Sequence, residues 1–177
     1  MKKEIVWIFG QSAAGKQTFI HEVLRSPRLC QQFGWDHIRT TLSKASIDYI
    51  GQYEGDPIRQ KRSVIENEVV AALKNNDVAL IKWQYEDSQT RRIQSLKDKL
   101  PDVRHRIIVL ALPKDEYMKR LRSKPWWNPE WDMEDFISDE IRDVNAFIRD
   151  TDIHDMLFVD SSTDDYPIVK NMKALPY

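Results

Sequence analysis

The sequence predicts a three-layer α/β domain, with a parallel sheet of about five strands and helices on both faces. Two observations predict it. Short apolar runs alternate along the chain with stretches of helical periodicity, the pattern of strand–helix units that feed a parallel sheet. The first run, Ile5-Val6-Trp7-Ile8-Phe9, leads into Gly10-Gln11-Ser12-Ala13-Ala14-Gly15-Lys16-Gln17-Thr18 and then into a helical stretch. Strand, glycine loop and helix therefore follow in the order in which a G-x-x-x-x-G-K pattern cradles phosphate. Ligands of such sheets bind beyond the carboxyl ends of the strands, and each candidate site residue below falls at such an end or in a loop that could reach one.

The elements can be justified in order. Residues 3–9 read as a strand buried on both faces, because their apolarity is continuous. A helix is expected from about Lys16 to Arg25, ended by Pro27. Residues 28–40 carry Leu29, Phe33, Trp35 and Ile38, and a short second strand is placed near Phe33–His37. Ser43–Ile50 reads as a short helix before Gly51, Gly55 and Pro57 break the pattern. Ile65, Val69 and Leu73 recur on one helical face between Ile58 and Asn75. Val78–Ile81 is a short buried strand, and a helix follows from about Ser88 to Leu100. Arg106–Leu112 is the strongest strand, and Pro113 opens a helix from about Lys114 to Arg122. Ser123–Trp131 is a loop. A helix over 134–149 shows Ile137, Ile141, Val144 and Ile148 on one face; Met156–Val159 is the last strand, and a short helix near Ile168–Met172 closes the chain.

At 177 residues the chain reads as one domain, 1–177, long enough for a sizeable core. No apolar run approaches the roughly 20 residues of a membrane-spanning helix, and Met1-Lys2-Lys3-Glu4 leads straight into strand residues with no small-residue cleavage site; the expected location is the cytoplasm. Cys30 is the sole cysteine, which excludes an internal disulfide and a cysteine-rich zinc site, and it reads as a half-buried helix-end residue. No His/Asp/Glu cluster has metal-ligand spacing, so the only metal expected is Mg²⁺ carried by a nucleotide. The net charge of −1 conceals an asymmetry: residues 1–125 carry 23 Lys/Arg against 15 Asp/Glu, and residues 126–165 carry two Arg against 13 Asp/Glu. The basic part suits phosphate-rich ligands. The acidic stretch permits a local nucleic-acid groove but opposes an all-round coat of bound nucleic acid.

The loop explains its residue types. Gly10 and Gly15 allow a turn where a Cβ would clash. The loop amides and the helix N-terminus then point at one anion, and Lys16 adds a mobile cation for the β- and γ-phosphates. The position after the lysine, usually a Ser or Thr that holds Mg²⁺, is Gln17; the hydroxyl comes one residue later, on Thr18, where it is expected to touch a phosphate. A metal here leans on water and other side chains. The G-K-x-T form resembles nucleoside monophosphate kinases and related small-molecule kinases.

Phosphoryl transfer also needs a carboxylate to take the acceptor's proton and cations for the developing charge. Asp36, three residues before Arg39, lies where the second strand is placed and is the candidate base. Asp36-His37-Ile38-Arg39 resembles the Asp-x-x-Arg of the P-loop kinase group that includes the kinase domain of bacteriophage polynucleotide kinase. That resemblance implies a P-loop NTPase fold with a short lid over about 123–133, Asp36 as general base and Arg39 as holder of the acceptor. It also matches Tyr117–Lys124 to an arginine-bearing helix end, with Arg120 the closest counterpart of the cations on the transferring phosphate and Arg122 and Lys124 next. Relatives often end the third strand with an Asp followed by an arginine-containing helix. Here Lys82-Trp83-Gln84 ends it, Glu86 and Asp87 come late, and Arg91 and Arg92 follow; Lys82 could hold a phosphate instead.

Trp126, Trp127 and Trp131 share a proline-bearing loop with Lys124. They either stack bases or plug the lid onto the core, and Trp35 and Trp83 face the same choice. The expected function is transfer of the γ-phosphate of ATP to a hydroxyl of a nucleic acid or nucleotide. The resemblance implies a 5′-hydroxyl polynucleotide end or a 5-hydroxymethyl-pyrimidine in DNA, and for a phage-encoded enzyme the setting is the host cytoplasm. A monophosphate or small-metabolite kinase (with Arg59 and Arg62 as phosphate holders in the first case) and a nucleotide-binding regulator without turnover are the alternatives.

Overall fold

The computed structural model describes residues 2–42, 57–82 and 89–176. The strands are β1 (Glu4–Gly10), β2 (Thr40–Leu42), β3 (Val78–Lys82), β4 (Arg104–Ala111) and β5 (Met156–Asp160). The helices are α1 (Lys16–Arg25), α2 (Pro27–Gln32), α3 (Pro57–Asn75), α4 (Gln89–Lys99), α5 (Lys114–Arg122) and α6 (Met133–Asp150). The five strands form one parallel sheet in the order β2-β3-β1-β4-β5. Helices cover both faces of it, the three-layer α/β architecture of P-loop kinases. β1 sits at the centre, and Ile5 to Ile8 are fully buried, which is why its sequence is continuously apolar rather than alternating. Successive side chains leave the sheet on opposite faces. Phe9 meets Phe147 of α6 edge-on at 4.6 Å, and Glu4 accepts a bond from Trp35 beyond α2 at 3.0 Å on the other face.

The second strand differs from its expected place. Phe33–His37 is the turn after α2, and β2 begins at Thr40. Gly34 is left-handed at φ 76°, so Phe33 and Trp35 turn inward together and their rings stack at 5.0 Å. Both are buried; the apolar–glycine–apolar pattern that resembles a strand edge is a buried turn. Pro27 ends α1 and also opens α2, whose first turn is capped by Ser26. Cys30 is fully buried on α2 rather than half-buried. The expected final helix is absent among the described residues. The tail instead runs antiparallel along β5, with Asp160 N donating to Pro167 O (3.0 Å) and Val169 N to Phe158 O (2.8 Å). It thereby covers an edge that would otherwise offer unpaired backbone groups. The expected helix over Ser43–Ile50 lies outside the described residues. No described helix is long and apolar enough to cross a membrane.

One buried pair predicts a pH response. Trp7 Nε1 donates to His105 Nδ1 at 3.3 Å, which leaves the proton of neutral His105 on Nε2, where it has no partner among the described residues. Burial first, and Lys97 second, push the imidazole down to about 4 from its ordinary 6.5. The unfolded chain therefore takes up this proton first. Stability is intact above pH 6.5 and is lost as the pH falls toward 4, by up to about 3 kcal/mol at about 1.4 kcal/mol per pH unit. Melting temperature followed from pH 7 to pH 4 should show the fall, and His105→Gln should flatten it in that window.

Candidate functional site: a phosphate loop and an acidic helix

The loop between β1 and α1 has the backbone that the glycines were expected to allow. Gly10 (φ 141°) and Gly15 (φ 88°) are both in positive-φ conformations, and a Cβ on Gly10 would lie 2.8 Å from Leu110 O. Ala13 is the one non-glycine loop residue at positive φ (59°). Ala14 is buried behind the loop. Lys16 folds back over it, its Nζ donating to Gly10 O (2.8 Å) and Gln11 O (2.7 Å). The ammonium thus rests on two loop carbonyls and lines the cavity beside the loop. Burial first, opposed by the nearby carboxylate of Glu140 and aided by Lys82, lowers Lys16 to about 8.

The loop floors a cavity of about 990 Å³. Gly10 to Ala13 and Gly15 to Thr18 line it, with His21, Glu22 and Arg25 of α1, Lys82 at the end of β3, Lys124 and Trp126 of the lid, and Glu140, Asp143 and Val144 of α6. Arg120 is not on this wall but touches the loop from behind: its Nη1 would lie 3.4 Å from a Cβ on Gly15. Glu116 (2.9 Å) and the Ser161 carbonyl (2.9 Å) hold its guanidinium. Residues 123–132, within the segment expected to form a lid over about 123–133, are a series of turns. Trp127 packs half-buried against Trp131 and Phe136 at ring distances of 5.6 and 5.3 Å, while Trp126 and Trp131 are about half exposed. Trp127 anchors this segment by burial, and Trp126, with its ring 6.5 Å from Trp127 and 6.3 Å from Phe136, lines the cavity with Lys124.

The structure thus brings together the loop, Lys16, Thr18, Lys124 and Trp126, with Arg120 against Gly15. It leaves Arg122 exposed and off the cavity wall. Asp36 and Arg39 require correction. Asp36 accepts from Ile38 N (3.0 Å) as the cap of a single 3-10 turn, and Arg39 pairs with Asp77 at 2.8 Å. Both sit at the amino edge of the sheet. Asp77 N donates to Arg39 O and Glu4 N to Asp77 O, so residues 39, 77 and 4 form one row. Gly10 lies six residues up β1 from Glu4, roughly 20 Å away at about 3.3 Å per residue. The strand that was expected to end near His37 only begins at Thr40, so a carboxylate before it faces away from the loop. His37 bonds Leu24 O at 2.8 Å and Trp35 is buried in the core. Arg59 and Arg62 lie on α3, and Arg91 and Arg92 on α4. Trp83, Glu86 and Asp87 are outside the described residues.

Sequence reasoning missed Glu140. Its carboxylate accepts from Ser12 N at 2.7 Å, from the Ser12 hydroxyl and from the Tyr117 hydroxyl, so α6 fastens the first half of the glycine loop to α5. A signal existed: Ile137, Glu140, Ile141 and Val144 share the buried stripe of α6 at i, i+3, i+4 and i+7. A glutamate in that stripe needs a polar partner.

No protein-family model and no curated protein sequence matches the chain. Solved structures do match it in shape. A structure of the Pnkp1/Rnl/Hen1 RNA repair complex superposes with a TM-score of 0.57 over 86% of this chain at 16% identity. The chain spans 47% of that protein's length. A tunicamycin resistance protein from Deinococcus radiodurans gives a TM-score of 0.53 at 15% identity, covering 89% of this chain and 87% of the other. The PezAT toxin–antitoxin system of Streptococcus pneumoniae gives 0.52 at 16% identity, covering 95% and 70%. Fold and loop together define the class, a three-layer α/β protein of P-loop kinase shape. At these identities the likeness extends to the fold alone.

Proposed function

We propose that the protein is a phosphotransferase that moves the γ-phosphate of ATP to a hydroxyl group. One observation carries this reading: the glycine loop and Lys16 line a cavity of about 990 Å³ together with Lys124 and Trp126 of the lid. Donor phosphates fit the loop, because its backbone dipoles and buried ammonium are fixed before any anion arrives. Arg120, held behind Gly15, adds positive charge to the same phosphates. Trp126 offers an exposed ring at the mouth, suited to a base, and a nucleic acid or nucleotide is the acceptor favoured by it. The RNA repair complex of similar fold supports that choice.

A second reading of the acceptor has its own support. Glu22, Glu140 and Asp143 line the same cavity, and carboxylates disfavour a polyanionic acceptor. A small hydroxyl compound without phosphates suits that wall. Asp36 takes no part in either version, because it faces the amino edge.

Transfer of labelled phosphate from ATP tests the proposal with four acceptors: single-stranded DNA bearing a free 5′-hydroxyl, DNA containing 5-hydroxymethyluracil, deoxynucleoside monophosphates, and uncharged sugar-like alcohols. Labelling of either DNA supports the first acceptor class, and labelling of the alcohols alone the second. Asp36→Asn is expected to retain rates within about threefold of the wild type, as surface substitutions away from a site do. A loss of a hundredfold or more would return Asp36 to the chemistry. No labelling of any acceptor, with ATP still bound, would leave a nucleotide-binding protein without turnover.

A further inference from the structure

A hard divalent cation needs oxygen donors, and in nucleotide sites of this architecture the usual protein donors are a hydroxyl after the loop lysine and a carboxylate at a neighbouring strand end. The residues at those two positions do not fit that role. Gln17 stands at the hydroxyl position and is exposed. Lys82 stands at the end of β3, in register with Ile8 of β1 two residues before Gly10. The two oxygens of Glu140 are engaged by Ser12 and Tyr117. No group of three or more His, Cys, Asp or Glu side chains able to hold a metal occurs among the described residues.

Lys82 fits a different role. It lines the cavity beside Lys16, is half-buried, and has no hydrogen bond or ion pair among the described residues. Two ammonium groups at one cleft repel a cation and attract an anion, and Lys82 is among the causes that lower Lys16. Burial alone lowers Lys82. An unpaired, half-buried lysine is unfavourable in isolation, and a bound polyphosphate removes that penalty.

We propose that Lys82 neutralises the nucleotide phosphates in place of a protein-held divalent ion, so that this chain binds ATP almost equally well with and without Mg²⁺. The inference rests on the reading of the cleft as a nucleotide site and deepens it by naming the ionic form of the ligand. In it, the nucleotide enters as the free tetra-anion or as its metal complex, and Lys16 and Lys82 flank the outer phosphates.

Calorimetric titration of the full chain with ATP, once in excess Mg²⁺ and once in excess EDTA, tests it with three variants. For the wild type the two dissociation constants should agree within about threefold, well under one tenfold step in binding constant. Lys82→Met should weaken binding in EDTA by about tenfold or more, the scale of one lost charge contact on a phosphate. Lys82→Arg should keep binding in EDTA and so separates charge from folding, with a melting curve for each variant. Lys82→Asp should bind ATP only with Mg²⁺. Wild-type affinity that drops more than about thirtyfold in EDTA, or Lys82→Met that matches the wild type there, overturns this inference and leaves the kinase reading standing. Absence of ATP binding in both buffers overturns both.

Discussion

Lys16→Ala is expected to reduce phosphate transfer from ATP by at least about a hundredfold, the loss seen when one preorganised charge-stabilising donor is removed from a transfer site. The structure gives the reason. Lys16 Nζ is held on the Gly10 and Gln11 carbonyls at 2.8 and 2.7 Å, so its charge is positioned before the anion binds. Removing it deletes the cation and the clamp on the loop's first turn together. The same residue sets a pH dependence. Lys16 is lowered to about 8 by burial, so the free protein loses this charge above that pH. A bound phosphate favours the charged form and must recover the proton. ATP affinity should therefore be flat from pH 6.5 to 7.5 and fall above pH 8, by up to about tenfold per unit. Titrations from pH 6.5 to 9.5 read this directly. A flat profile to pH 9.5 would show that Lys16 keeps its charge in the free protein and that its burial is relieved in solution.

How far the sequence revealed this differs from element to element, for physical reasons. β1, the loop and α1 were legible because their signals are local: an apolar run, glycines where φ is positive, and a lysine at a fixed offset. β3, β4, β5 and α6 follow the same logic, the strands as short apolar runs and α6 through a helical period visible in its own residues. β2 was not legible. It is three residues long, too short to show a period, and Phe33 and Trp35 imitated one from within a turn. That error displaced Asp36. A base assigned by its position after a strand inherits every error in the strand's end, and here the shift carries it to the opposite edge of the sheet. The tail was misread for a related reason: Ile168 and Val169 pair with the edge of β5, and pairing with an edge leaves no helical period to detect. Glu140 belongs to another kind of information. Its partner Ser12 is 128 positions away, and only the fold brings the buried stripe of α6 to the loop.

Glu140 yields the other large effect, expected in two forms. Glu140→Ala removes the acceptor of the Ser12 amide and hydroxyl and of the Tyr117 hydroxyl. Bonds to a charged acceptor contribute about 1.5–3 kcal/mol each, and leaving a buried donor unmet costs about 1–3. A net loss of about 2–3 kcal/mol is expected after relaxation of the half-buried helix face, and the melting temperature should fall by about 5–10 °C for a chain of this size. The loop should lose its set at Ser12, and ATP affinity should fall with it. Glu140→Gln separates the structural from the electrostatic part. The amide can still accept from Ser12 N through its oxygen and donate to the Ser12 hydroxyl through its nitrogen, so most of the stability should return. It cannot support the charge on Lys16. Glu140 is the group that opposes the lowering of Lys16, and its neutralisation should move Lys16 further down. The pH above which ATP binding weakens should therefore shift below about 8 in Glu140→Gln, with a melting temperature close to the wild type. Purely mechanical fastening predicts the same stabilities, lost in Ala and kept in Gln, but an unmoved pH profile. The pH midpoint of Glu140→Gln thus decides whether this helix only holds the phosphate loop in place or also tunes the lysine that makes the loop attract phosphate.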